Sequence, residues 1–216
     1  PEANGIETIN RQNTGNSQLF IMLGDSVAAG VGIEHIKDAL AGKIAYKAMQ
    51  KVDDIKDSSW KVIGQSGLTL AQLTQLVSTY INDKRLPITS HVVISIGVND
   101  AKGFTTTAKW RKQLTTLLTL LVSHQPNCRL LMLAIPPMEL FPLIPSPLSK
   151  VLGDRSRRLN NASKDVVQTF VQAQLLETTL EFDPALFAID GFHPSEKGCE
   201  VLSEQIVKHF TTVTIE

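Results

Sequence analysis

Cysteine, aromatic residues and charge bias are all scarce in this sequence, and each scarcity excludes something. Two cysteines in 216 residues, Cys128 and Cys199, are too few for a disulfide framework and lack any CxxC spacing suited to zinc or dithiol chemistry. Both read as buried thiols. The 21 Lys and Arg are matched by 21 Asp and Glu, so neither a nucleic-acid partner nor a polybasic membrane patch is expected. No apolar run approaches the roughly 18 residues that span a bilayer, which argues against stable membrane insertion. The first residues also lack the basic segment, apolar stretch and small-residue site of a secretory signal. That favours the cytoplasm, with secretion open should a segment precede Pro1. Aromatics make up only 6% of the chain, yet 43% of it is hydrophobic, enough to bury one sizeable core.

Residues 1–17 are polar, rich in Asn, Gln, Thr and Gly, and without periodicity, so they are expected to form a tail or a surface arm outside a single domain spanning 18–216. Within that domain short apolar runs alternate with helical stretches. Strands are expected at Leu19 to Leu23, Trp60 to Ile63, His91 to Ile96 and Arg129 to Ile135, with a weak fifth near Leu180 to Phe182. Helices are expected over about Glu34 to Val52, Leu70 to Asn82, Thr105 to His124, Ser149 to Gln174 and Pro194 to Thr211. The third is the clearest, because Trp110, Leu114, Leu117, Leu118 and Leu121 recur at spacings of three and four. Such alternation builds right-handed βαβ units. The expected fold is a three-layer α/β/α sandwich around a flavodoxin-like parallel sheet of about five strands.

In such sheets a site gathers where loops leave the carboxyl ends of the strands. After the first strand comes Gly24-Asp25-Ser26, where a serine on a sharp turn exposes a nucleophilic hydroxyl or, more plainly, caps a helix. The second is followed by Gly64-Gln65-Ser66-Gly67-Leu68-Thr69, whose glycines suit either an oxyanion-binding turn or a turn before a helix capped by Thr69. The third ends in Gly97-Val98-Asn99-Asp100, in which Asn99 is an amide donor or an Asx turn. Near the C-terminus, Asp190-Gly191-Phe192-His193 lets a carboxylate reach an imidazole three residues on, orienting a general base or merely tying a loop. Each segment has a bland explanation. Together they supply a nucleophile, oxyanion donors and an oriented base, the full set for acyl transfer.

These four segments, in this order and over Leu19 to Phe210, resemble the SGNH hydrolases, also called GDSL-type esterases and lipases. Position by position, the resemblance implies that Ser26 is the nucleophile, His193 the base and Asp190 its partner. It implies an oxyanion hole made by the Ser26 and Gly67 N–H groups and the Asn99 amide. Val27 stands where the strict string has Leu, and Val62 where many relatives have an Asn before the second motif, which bears on the support of Gly67; Gly64 is the rival donor should the register differ by one turn. The implied reaction is carboxylic ester hydrolysis through an acyl-serine, with neither a metal nor an organic cofactor. The partner is then a small-molecule or lipid ester, and the sequence leaves the oligomeric state open. For the substrate site, Asp25 and the apolar Met138, Leu140 and Phe141 of the Pro-rich loop are the candidates, with Leu143 and Ile144 beside them. An apolar flank favours acyl or lipid-like esters over a carbohydrate O-acetyl ester, the alternative on this fold. A non-catalytic module holding phosphate or flavin is the rival from another class.

Overall fold

A computed structural model describes residues 6–9, 17–51, 57–141, 143–180 and 183–210. In chain order these form β1 (Ile6–Ile9), β2 (Ser17–Gly24), α1 (Leu40–Lys51), β3 (Asp57–Gly64), α2 (Leu70–Asn82), β4 (His91–Ser95) and α3 (Val98–Lys102). They continue as α4 (Thr107–His124), β5 (Arg129–Leu133), α5 (Leu148–Val167), β6 (Ala173–Leu176) and α6 (Glu196–Val207). One sheet runs β1-β3-β2-β4-β5-β6, parallel throughout except for antiparallel β1 at the edge. The five parallel strands give the expected α/β fold.

Side-chain alternation splits the core. Phe20, Met22, Trp60, Val93 and Leu131 point to the face covered by α1 and α6. Ile21, Leu23, Ile63, Val92 and Ile94 point to the face covered by α2, α4 and α5. Strands buried on both sides must be apolar at every position, which is why they read as unbroken runs. The predicted stripe of α4, from Trp110 to Leu121, is fully buried, and Trp110 Nε1 donates to Ser163 Oγ of α5 at 2.9 Å. Among the described residues no helix is long and apolar enough to cross a membrane.

Four expectations need correction. Ile6–Ile9, inside the supposed tail, pairs with β3 as a strand; the rest of 1–16 lies outside the described residues. Helix α1 starts only at Leu40, because residues 25–32 form turns and Ile36–Asp38 a single 3-10 turn. Helix α5 stops at Val167, and the chain turns into β6 at Ala173–Leu176. Leu180 is therefore in a loop, while Glu181 and Phe182 lie outside the described residues, as do Val52 and Thr211.

The register sets the site. Gly24 pairs with Gly64 on one side and Ser95 on the other, so the turns after β2, β3 and β4 leave the sheet at one level. Glycine is required there: a Cβ on Gly24 would run into the Ser95 carbonyl oxygen.

Candidate active site

The turn after β2 begins with Asp25 N donating to Ser95 O at 3.1 Å, and continues with Val27 N donating to the Asp25 carboxylate at 3.3 Å. Ala29 N then returns to Asp25 O at 2.9 Å. The N–H of Ser26 takes no part in these bonds. Asp25 is thus a buried turn-former, 2% exposed. Burial, together with the nearby charge of Asp100, pushes its carboxyl up to about 7. Asp25, a candidate for the substrate site, lines no part of the cavity described below.

His193 comes to Ser26 from the other end of the chain. The loop that carries it is closed by Ala188 N to His193 O at 2.8 Å and Ser195 N to Leu186 O at 2.9 Å, and Phe187 bridges Pro194. Ser195 then caps α6 by accepting from Gly198 N. Within this frame Ser26 Oγ lies 2.8 Å from His193 Nε2, and His193 Nδ1 lies 2.6 Å from Asp190 Oδ2. Those neighbours assign the proton: Nδ1–H donates to the carboxylate, and Nε2 accepts from the Ser26 hydroxyl. Asp190 Oδ1 also accepts from the backbone N–H of Phe192 at 2.9 Å and of His193 at 3.0 Å. Partial burial works to raise the Asp190 carboxyl, but the bonds from His193 and these amides hold it below the usual range.

Opposite the histidine lie the donor turns. Gly67 has φ +84°, a left-handed conformation that suits glycine, and the space where its Cβ would stand is empty. Its turn is closed by Gln65 N to Gly24 O and Leu68 N to Gln65 O, neither of which uses the Gly67 N–H. The rival Gly64 ends β3 inside the ladder with β2. Thr69 does cap α2, reciprocally with Gln72, as the second reading of this segment expects. Asn99, in the first turn of α3, donates one Nδ2–H to Leu68 O at 3.0 Å, which leaves the second for a ligand. Asp100, beside it, is 1% exposed and accepts from Leu70 N at 2.8 Å and from Thr105 Oγ1 at 3.1 Å.

A largely apolar cavity of about 170 Å³ backs these loops. Val27, Val98 and Phe192 line it, each the immediate neighbour of Ser26, Asn99 or His193. Leu140 and Phe141 line it, whereas Met138, the third apolar candidate of that loop, is fully buried in the core and lines no part of it. A short 3-10 turn at Met138–Leu140 points that side chain inward. Leu143 is exposed and lines no part of the cavity. Thr178, Thr179 and Leu180, after β6, also line it, which sequence reading missed. Gln205 of α6 clamps this segment, accepting from Thr179 N at 3.0 Å and donating to Thr179 O at 2.7 Å.

Residues 22–201 match the family model described as GDSL-like Lipase/Acylhydrolase family. No match is found among curated protein sequences. Among solved structures, the lipase Lip_vut3 from goat rumen metagenome is 17% identical over 92% of this chain and 100% of its own, with a TM-score of 0.69. The psychrotrophic esterase EstA from Pseudoalteromonas sp. is 17% identical over 89% and 96%, with a TM-score of 0.68. The Clostridium thermocellum family 3 carbohydrate esterase is 15% identical over 91% and 100%, with a TM-score of 0.67. At these identities the likeness concerns the fold alone.

Proposed function

The chain belongs to the GDSL-like lipase/acylhydrolase family and is a serine hydrolase of carboxylic esters, and on that premise we propose that Ser26, His193 and Asp190 are its triad. One observation carries the assignment. The unbroken line from Ser26 Oγ through both ring nitrogens of His193 to Asp190 Oδ2, at 2.8 and 2.6 Å, joins residues 167 positions apart.

As Ser26 Oγ attacks the ester carbon, its proton passes to His193 Nε2, and the imidazolium is stabilised by the carboxylate on Nδ1. The negative charge moves to the former carbonyl oxygen, where the N–H groups of Ser26 and Gly67 and the remaining Nδ2–H of Asn99 receive it. Collapse expels the alcohol, protonated by His193, and leaves an acyl-Ser26. The same base then activates water to release the acid.

For the acyl group we favour an apolar chain of medium length. A cavity of about 150 Å³ lined by apolar side chains holds a ring of six carbons, and the one behind Ser26 is of similar size at about 170 Å³. Its lining offers few groups to bind a sugar, which counts against the O-acetyl alternative. The triad geometry likewise counts against a phosphate- or flavin-binding module, which would need none of it. The test is labelling by a fluorophosphonate probe together with turnover of p-nitrophenyl esters from acetate to decanoate. Both activities should vanish in Ser26→Ala, with a maximum at intermediate chain length; turnover surviving in Ser26→Ala would refute the assignment.

A further inference from the structure

Asp100 has no role in the reaction as described, although it is nearly as deeply buried as any residue in the molecule. A carboxylate taken out of water is costly unless its partners replace the lost solvent. No ion pair to Asp100 exists among the described residues. Its partners are the Leu70 N–H, which belongs to the first turn of the 13-residue α2, and the Thr105 hydroxyl. The positive end of that helix favours the charge.

We infer that Asp100 is a positioning residue that holds the Gly67 turn in register with Asn99; the inference rests on Gly67 and Asn99 being oxyanion donors. Two adjacent residues of one turn cross to the segment just after Gly67. Asn99 Nδ2 reaches Leu68 O, and Asp100 Oδ2 reaches Leu70 N. Gly67 itself is exposed, with nothing packed where a side chain would be, so apolar contacts at that point do not set its position. Polar ties do. On the other side, Thr105 holds the carboxylate from its hydroxyl and returns its own N–H to Asp100 O at 3.0 Å, so the acid cannot swing without moving α3. The two donor turns, which come from different strands, therefore move as one body.

A helix cap without catalytic consequence would stabilise the fold and leave turnover alone, and kinetics separates the two. Asp100→Ala should lower kcat on a short p-nitrophenyl ester about 10- to 100-fold, because a displacement near 1 Å in a reacting site costs on that order. KM should stay within about threefold, and affinity for a trifluoromethyl ketone, whose Ser26 adduct carries the oxyanion, should fall in step with kcat. Asp100→Asn keeps an acceptor for Leu70 N–H and turns a donor toward the Thr105 hydroxyl, so it should restore most of the loss. Should Asp100→Ala not fold, Asp100→Ser, too short to reach Leu70, gives the same reading. A folded Ala or Ser variant with normal kcat, or one whose ketone affinity is unchanged, overturns the inference. Ser26→Ala, assayed alongside, separates the failures: if it is inactive while Asp100→Ala is normal, the triad stands and only the positioning role falls.

Discussion

Asp190 holds His193 twice, through the ring at 2.6 Å from Oδ2 and through the backbone N–H at 3.0 Å from Oδ1. One carboxylate therefore fixes both the tautomer of the base and the loop that carries it. Asp190→Asn keeps the size but offers an amide that can face the ring with its own N–H, favouring the wrong tautomer. Turnover should fall by roughly 10² to 10⁴, with KM little changed. Steady-state kinetics on a short-chain ester checks this; a loss under tenfold would deny Asp190 its role.

The two outer donors proposed for the oxyanion, Asn99 and Gly67, should fail in different ways. Asn99→Ala removes a donor and leaves Leu68 O without its partner, so kcat should drop about 10² to 10³ together with a lower melting temperature. Gly67→Ala places a methyl in empty space but at φ +84°, a strain of about 1 to 2 kcal/mol. Differential scanning calorimetry beside kinetics distinguishes them: the alanine at 67 should cost stability through backbone strain alone.

Filling the cavity should shorten the preferred acyl chain. Thr178 lines it and is not one of the residues proposed to react. Thr178→Trp should lower kcat/KM on a p-nitrophenyl octanoate by about tenfold or more while sparing the acetate, since a few buried methylenes are worth about 1 to 3 kcal/mol. Equal loss on both esters would place the acyl chain elsewhere.

Stability should respond to pH through two buried groups of opposite sign. Asp25, raised to about 7, binds its proton more readily folded than unfolded, so its contribution is full below pH 4 and is lost as pH rises through 7. His91, held down to about 4 by burial and by Arg129, stays neutral when folded, so its contribution is lost as pH falls from 6.5 toward 4. Each spans at most about 3 to 4 kcal/mol. Relative to the parent, Asp25→Asn should lose stability on acidification from pH 7 to 4.5, and His91→Gln should gain it. Melting temperatures across that range decide; parallel curves would contradict both assignments.

What was legible in the sequence was whatever one segment settles for itself. Helix α2 runs Leu70–Asn82 as its pattern demands, and the α4 stripe is buried residue for residue. The proposed triad was legible because Asp190 and His193 are three apart and Ser26 sits at a strand end. What needed the third dimension was not. Strand β6, AQLL, carries no β-branched residue and no alternation, and Gly and Pro are absent between Leu159 and Ala173, so the pattern reads as one continuing helix. Met138 and Leu140 are both apolar in a proline-rich loop, and only the turn between them decides which one faces the core. The cavity wall at Thr178 and Thr179 is polar in sequence and joins the site only because α6 clamps it.

Strand β1 has a consequence beyond adding one row to the sheet. It occupies the hydrogen-bonding edge of the eight-residue β3, with Ile6 opposite Lys61 and Ile9 opposite Ser58, while the other edge is only the four-residue β6. A long open strand is a template on which a second copy can add its own backbone. The Ile6–Ile9 strand thus covers half of that edge against edge-to-edge association, and a chain trimmed to residue 17 would bare that half of β3 to its neighbours in concentrated solution.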